Sequence, residues 1–166
     1  MTLSTTALHD IPLTRLDGSP ERLSDYEGKV LLVVNVASRC GYAPQYEQLE
    51  ELQRTYASHG FSVLGFPSNQ FAQELKSADA IDQYCSATWG VTFPMFQTTR
   101  VNGRSRHPLF AQLHDVKDPA GRSGRVRWNF EKFLILPNGE LHRFRSKTRP
   151  DDRSIVELIE GALPEE

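Results

Sequence analysis

Two sulfur nucleophiles, Cys40 and Cys85, are the side chains in this sequence most able to do chemistry, and their surroundings decide whether either does. Two cysteines are too few for a disulfide scaffold, and a free cysteine is by default a small buried apolar residue. Other chemistries lack their residues. The five histidines show no metal-ligand spacing, with His107 and His114 too loosely placed for a zinc site. Neither G-x-x-x-x-G-K-[ST] nor G-x-S-x-G occurs, which removes the usual phosphate-binding and acyl-transfer motifs. The expectation is therefore no metal and no cofactor, with any reaction carried by sulfur itself.

The elements that must position Cys40 follow from the pattern around it. Residues 29–37 (KVLLVVNVA) are a β-branched apolar run, the signature of a strand covered on both faces. Pro44 suits the first turn of a helix, and Tyr46, Leu49, Leu52, Gln53 and Tyr56 recur at helical spacing up to Gly60. Residues 61–67 (FSVLGFP) form a second buried strand, which completes a βαβ unit with parallel strands. Cys40 then lies at the carboxyl edge of a parallel sheet, where α/β folds place their sites. It also faces the positive end of the next helix, where backbone N–H groups favour a thiolate; Arg39 can add to this. Cys40-Gly41-Tyr42-Ala43 stands where a redox Cys-x-x-Cys would stand, but its last position is Ala43. Dithiol exchange within four residues is excluded, so Cys40 acts alone or with a distant partner.

The rest of the chain supplies the frame. Residues 8–16 read as a short strand and Asp17-Gly18 as a hairpin turn. Ser77 caps a helix through Ile81, Tyr84 and Cys85 that ends at Gly90, and Pro108 starts a short helix. Residues 132–136 and 140–144 flank Pro137-Asn138-Gly139 as an antiparallel hairpin. Asp151 or Asp152 caps a last amphipathic helix with Ile155, Leu158, Ile159 and Leu163 on one face. This order predicts an α/β protein with a central mixed β-sheet and helices on both faces, thioredoxin-like in topology. No repeat or linker interrupts it, so residues 1–166 are expected to form a single domain.

Composition narrows the partners. Of 166 residues 39% are hydrophobic, enough for a core, and the net charge is −2 with acids and bases interspersed. That balance gives no footprint for nucleic acid or an anionic membrane. No apolar run reaches 18 residues, and MTLSTTALHDIPL lacks the basic start and apolar stretch of a secretory signal. A cytoplasmic protein is expected. The basic, Gly-rich stretch 117–127 (KDPAGRSGRVR) reads as a solvated loop.

Four segments together make a specific resemblance: NVASRCGYAPQYEQLEEL (35–52), GFPSNQF (65–71), WGVTFPMF (89–96) and WNFEKFLILPNGE (128–140). In this order they resemble the glutathione peroxidase family in its cysteine form. The resemblance implies a thioredoxin fold and the reduction of hydrogen peroxide and organic or lipid hydroperoxides. It also implies Cys40 as the peroxidatic residue, with Gln70, Trp128 and Asn129 completing a catalytic tetrad. By residue type alone, Gln70 is a polar loop residue, Trp128 core packing and Asn129 a turn former; the joint context lifts them. Neutral N–H donors suit the chemistry, because breaking an O–O bond leaves an oxyanion that needs hydrogen bonds and a proton.

In members of the family that use thioredoxin, a resolving cysteine occupies the segment of Cys85. By helical position alone Cys85 shares a face with Ile81 and Tyr84 and reads as buried; in the resolving role its helix must unwind locally to reach Cys40. Thioredoxin is then the reductant, with glutathione as the alternative. The same residues also serve a peroxide sensor that relays oxidation to a partner protein. Two departures stand out: Ser68 replaces a cysteine often found there, and the loop after Phe71 is one residue short. The long insertion of tetrameric members before Trp128 is absent, which implies a monomer.

Overall fold

The apolar run around Val33 and the run around Val63 do become adjacent strands, and everything else is hung on them. The computed structural model of the chain describes Leu8 and residues 10–164. In order it contains β1 (Pro12–Thr14), β2 (Pro20–Arg22), a 3-10 turn (Leu23–Tyr26), β3 (Val30–Val36), α1 (Gln45–Tyr56) and a 3-10 turn (Ala57–His59). There follow β4 (Phe61–Pro67), α2 (Ala78–Tyr84), a π-helical turn (Cys85–Trp89), α3 (Pro108–Leu113), β5 (Lys132–Ile135), β6 (Leu141–Phe144) and α4 (Arg153–Ala162). The main sheet has the order β4-β3-β5-β6, with β3 parallel to β4 and antiparallel to β5, so it is mixed as expected.

Every residue of β3 and β4 is buried. Alternation then divides the core in two. Val30, Leu32, Val34 and Val36 face α1, α2 and α4 through Tyr46, Leu49, Ile81, Ile155 and Ile159. Leu31, Val33, Leu64 and Phe66 face α3, β1 and the first 3-10 turn through Leu109, Phe110, Leu113, Leu13 and Leu23. Helices thus cover both faces. Gly65 lies on the first face with Val63, and a Cβ there would come within 2.5 Å of Met95 Sδ, so the position favours glycine.

The expected strand over 8–16 is shorter than its pattern. It keeps only Pro12–Thr14, because past Thr14 the chain leaves β2 and pairs with another segment: Leu16 donates to Met95 O at 3.0 Å. Before it, Ile11 donates to Leu8 O and closes a turn. Residue 9, and most of the N-terminal stretch read for a signal, lie outside the described residues. The Asp17-Gly18 turn forms, with Gly18 at φ 92°. Asp152 rather than Asp151 caps α4 by accepting from Ser154 N. No described helix is long and apolar enough to cross a membrane.

The 117–127 stretch is less a free loop than its composition implied. Arg143 is buried in β6 and donates to Glu131 Oε2 at 2.6 and 2.9 Å, to Val116 O at 3.1 Å and to Arg125 O at 3.0 Å. Its guanidinium lies over the Phe133 ring at 4.9 Å. Arg145 joins Glu131 Oε1 at 2.8 Å to Asp118 Oδ2 at 2.9 Å. These charges tie the basic stretch to β5 and β6. Breaking a buried pair strands its partner, so Arg143→Met is expected to lower unfolding free energy by about 3–5 kcal/mol in urea titrations. A loss below about 1 kcal/mol would show that Glu131 is solvated rather than held.

Candidate active site

Because β3 and β4 are parallel, the chain leaves both at the same edge of the sheet, and antiparallel β5 begins there, with Val34 opposite Lys132. Three segments meet at that edge: 37–44 with Cys40, 68–77 with Gln70, and 127–131 with Trp128 and Asn129. Cys40 keeps 5% of its surface exposed. Its sulfur accepts from Tyr42 N at 3.4 Å, and its carbonyl accepts from Ala43 N at 2.9 Å in the turn that leads into α1. The helix begins at Gln45, one residue after Pro44.

The turn before Cys40 is held from the neighbouring segment. Glu74 Oε1 accepts from both the N–H and the hydroxyl of Ser38, while Arg39 N donates to Gln73 O at 2.8 Å. Glu74 is buried, and burial raises its carboxyl above the ordinary range against the pull of the Ser38 and Leu75 donors. Its second oxygen has no partner.

Asn35 sets the third segment. This buried amide interrupts an apolar strand, and its backbone and side chain grip a segment more than ninety positions away. Its Nδ2 donates to Trp128 O at 2.9 Å, its carbonyl accepts from Phe130 N at 2.6 Å and its Oδ1 accepts from Glu131 N at 3.1 Å. Phe130 is thereby held at φ 63°, a left-handed conformation that costs a non-glycine residue about 1–3 kcal/mol. Strain of this kind persists only where surrounding contacts over-determine it. Lys132 Nζ adds to them by donating to Phe130 O and, at 3.1 Å, to Ser146 O. Lys132 is fully buried, and burial lowers its ammonium to about 7 although the Glu131 charge pulls the other way.

The residues singled out from sequence have distinct fates at this edge. Asn129 is fully buried, and neither its Nδ2 nor its Oδ1 has a hydrogen-bond partner. Trp128 is 37% exposed, with its ring against Phe71 at 5.2 Å. Gln70 turns elsewhere: its Oε1 accepts from Val101 N and Asn102 N, and its Nε2 donates to Asn102 O at 3.0 Å. The fold brings the three to the edge that carries Cys40, but none of them donates to the sulfur among the described contacts.

Cys85 is 2% exposed and packs in the same core cluster as Cys40. It is not inside a regular helix. Ser77 Oγ caps α2 as expected, but α2 ends at Tyr84 and Cys85 opens the π-helical turn, closed by left-handed Gly90 at φ 61°. Burial pushes the Cys85 thiol up to about 11, with the nearby Tyr46 hydroxyl opposing and the Glu74 and Asp82 charges reinforcing. The Tyr46 hydroxyl lies within electrostatic reach of that sulfur without meeting hydrogen-bond geometry. At neutral pH the resting Cys85 is therefore a thiol and not a nucleophile. Among the described residues no cluster of three or more His, Cys, Asp or Glu could hold a metal.

The sequence model described as "Glutathione peroxidase" matches residues 8–114 of this chain. Thioredoxin/glutathione peroxidase BtuE of Escherichia coli (strain K12) is 43% identical, with 96% of each chain covered. The chain belongs to the glutathione peroxidase family. A crystal structure described as Trgpx in apo form is similar at TM-score 0.73 and 37% identity, covering 97% of this chain and 100% of that one. A thioredoxin-family thiol:disulfide interchange protein from Chlorobium tepidum TLS matches at TM-score 0.61 and 20% identity, over 94% and 96% of the chains. That likeness shows the thioredoxin fold. As a member of the family the chain is a peroxidase, and its fold is the one the sequence implied.

Asn35, Glu74 and Lys132 are the residues of this glutathione peroxidase family member that sequence reasoning passed over. A signal existed for two of them: an amide inside VLLVVNVA and a lysine inside an apolar strand are both polar groups that burial forces to find partners. Replacing Asn35 by Leu removes the two side-chain hydrogen bonds to Trp128 O and Glu131 N and leaves the backbone bond from Phe130 N. It is expected to cost about 2–4 kcal/mol of stability and to slow hydrogen peroxide oxidation of Cys40 by about tenfold or more, read by stopped flow. An unchanged oxidation rate in a folded variant would remove Asn35 from the site. The lysine makes a second test. Its folded value of about 7 lies below the unfolded one, so the unfolded chain binds the extra proton and stability rises with pH from about 7 upwards. Against Lys132→Met, the wild type should gain at most about 1.4 kcal/mol per pH unit over that range. A difference that does not change with pH would place the ammonium in water.

Proposed function

We propose that the chain is a two-cysteine thiol peroxidase in which Cys40, Gln70, Trp128 and Asn129 carry the peroxide step and Cys85 resolves it. The observation that carries this reading is Asn129. A buried amide with both polar atoms unpaired costs about 1–3 kcal/mol or more, and here it sits on a strained turn at the sheet edge that bears the Cys40 sulfur. Such a donor is held ready for a group that arrives during the reaction.

The Cys40 thiolate attacks the terminal oxygen of ROOH; the O–O bond breaks, an S–O bond forms, and RO⁻ takes a proton to leave as ROH. Sulfur is oxidised to sulfenic acid. The Trp128 indole, the Asn129 amide and the free hydrogen of the Gln70 amide supply donors to the developing oxyanion. Cys85 then gives up its proton and attacks the sulfenic sulfur, releasing water and forming a Cys40–Cys85 disulfide. A thiol at about 11 cannot do this while buried, so the resolving step requires the segment from α2 through the π turn to open. π turns are rare and concentrate at functional sites, which suits a segment that opens at this place. Reduced thioredoxin attacks the disulfide and returns both thiols by exchange. No cofactor takes part.

Glutathione is the second reading for the reductant, because the Escherichia coli relative carries both reductants in its name. The reading also includes a monomer, supported by the short stretch ahead of Trp128 that folds back on Asp118 and Arg145. It further includes a reducing compartment such as the cytoplasm, where two unpaired thiols persist.

Turnover of hydrogen peroxide and a lipid hydroperoxide with thioredoxin and with glutathione tests the cycle. Cys40→Ser should abolish peroxide consumption. Cys85→Ser should give one fast turnover, retain a sulfenic acid trappable by dimedone, and then stall with thioredoxin. Full thioredoxin-driven cycling without Cys85 refutes the resolving role.

A further inference from the structure

The charge of this chain is unevenly spread. Residues 97–130 hold seven Lys and Arg against two Asp, a surplus of five in a chain whose net charge is −2. One of the two acids, Asp118, is already paired with Arg145.

Six of the fourteen arginines, Arg15, Arg54, Arg143, Arg145, Arg149 and Arg153, each meet a carboxylate. The other eight are exposed, and their guanidinium groups meet no carboxylate among the described residues. Of these, Arg22 and Arg39 stand apart, Arg106 donates to Gly103 O, and Arg100, Arg104, Arg122, Arg125 and Arg127 lie with it on two loops, 100–106 and 122–127.

Those loops are built into one surface. Asn102 Nδ2 donates to Val126 O at 2.7 Å, and Val126 N returns a bond to Asn102 Oδ1 at 2.9 Å. Val126 is buried between exposed Arg125 and Arg127. From beneath, Arg143 and Arg145 hold the carbonyls of Arg125 and Arg122. The Gln70 amide fastens Val101 and Asn102, and Arg127 adjoins Trp128, so the surface borders the candidate active site. Trp128 is the exposed large hydrophobic residue among those described.

We propose that this arginine rim is the docking surface for the protein that reduces the Cys40–Cys85 disulfide, and that the reductant meets it with an acidic face. The inference rests on the thioredoxin-driven cycle above. Five guanidiniums spread over two loops exceed what one small carboxylate needs. Six of the seven cations are Arg, the residue that pairs carboxylates bidentately, and the border residue is Trp; both types dominate protein interfaces. Side-chain bonds from Asn102, Gln70, Arg143 and Arg145 to the loop backbones hold the loops in place before contact, which reduces the ordering cost of binding. Unpaired cations bordering the segments that meet at the Cys40 edge of the sheet also steer an acidic partner towards it and raise its on-rate at low salt.

The test is a charge reversal away from the reacting groups, Arg104→Glu with Arg125→Glu. With purified thioredoxin and its reductase, kcat/KM for thioredoxin should fall about tenfold or more at low ionic strength. The wild-type value should fall steeply with added salt and the variant's should not. Turnover driven by dithiothreitol, and single-turnover oxidation by hydrogen peroxide, should stay unchanged. The Arg104→Lys, Arg125→Lys variant should recover part of the loss. An unchanged thioredoxin kcat/KM overturns the proposal, as does an equal loss with dithiothreitol. A loss confined to lipid hydroperoxide in anionic vesicles also overturns it, in favour of a membrane surface. A wild type that dithiothreitol recycles but thioredoxin does not would sink the thioredoxin reading itself, and this inference with it.

Discussion

The grip of Asn35 on the segment from Trp128 to Glu131 is the interaction on which the rest of the site depends. β3 is apolar because it is covered on both faces, and a polar side chain survives there only with its hydrogen bonds satisfied. Asn35 spends its amide and carbonyl on a chain segment that no local preference would bring near. The return is a Phe130 held in a left-handed conformation, which leaves the Asn129 amide buried and unspent. Remove that grip and only the Lys132 bond to Phe130 O is left against the strain, since Phe does not prefer this conformation strongly enough to keep it.

Tyr46 connects this turn to the second sulfur. Its ring meets Phe130 edge-on at 5.3 Å, Tyr84 at 6.2 Å and Trp89 at 6.4 Å. The aromatic cluster therefore packs the turn bearing Asn129 and the two ends of the segment bearing Cys85 against one residue of α1. Glu50, also on α1, binds Thr92 through its N–H and hydroxyl at 2.7 and 2.6 Å, just past the π turn. The segment from α2 to Trp89 is thus anchored at its far end while its middle carries the irregular ladder. This combination suits a piece of chain that must open and return to the same place. The two sulfurs are kept unlike: one accepts a backbone N–H at the sheet edge, the other is buried as a protonated thiol.

Charge is handled by two opposite strategies in the same third of the chain. Inside, Glu131, Arg143, Arg145 and Asp118 compensate one another, because an unpaired buried ion would cost several kcal/mol. Outside, the loops pinned by that network carry arginines with no carboxylate partner among the described residues. Rigid support and unspent charge are both needed for a surface that recognises an acidic partner, and neither is visible from net charge.

What the sequence by itself determined was set by short-range pattern. The seven-residue apolar runs, the helical spacing after Pro44, the Ser77 cap and the Asn138-Gly139 turn each act within a few residues, so the α/β architecture and the position of Cys40 at a strand end were legible. Matched segments likewise carried the family and the identity of the candidate residues. Only the tertiary structure decided where their side chains point. It turned Gln70 towards Val101 and Asn102, left Asn129 without a partner, shortened the strand at Pro12 and placed Cys85 on a π turn. Those outcomes come from bonds between residues about thirty to ninety positions apart and from burial of charges such as Lys132. Neither has a signature in local spacing, because each exists only after the sheet has brought the segments together.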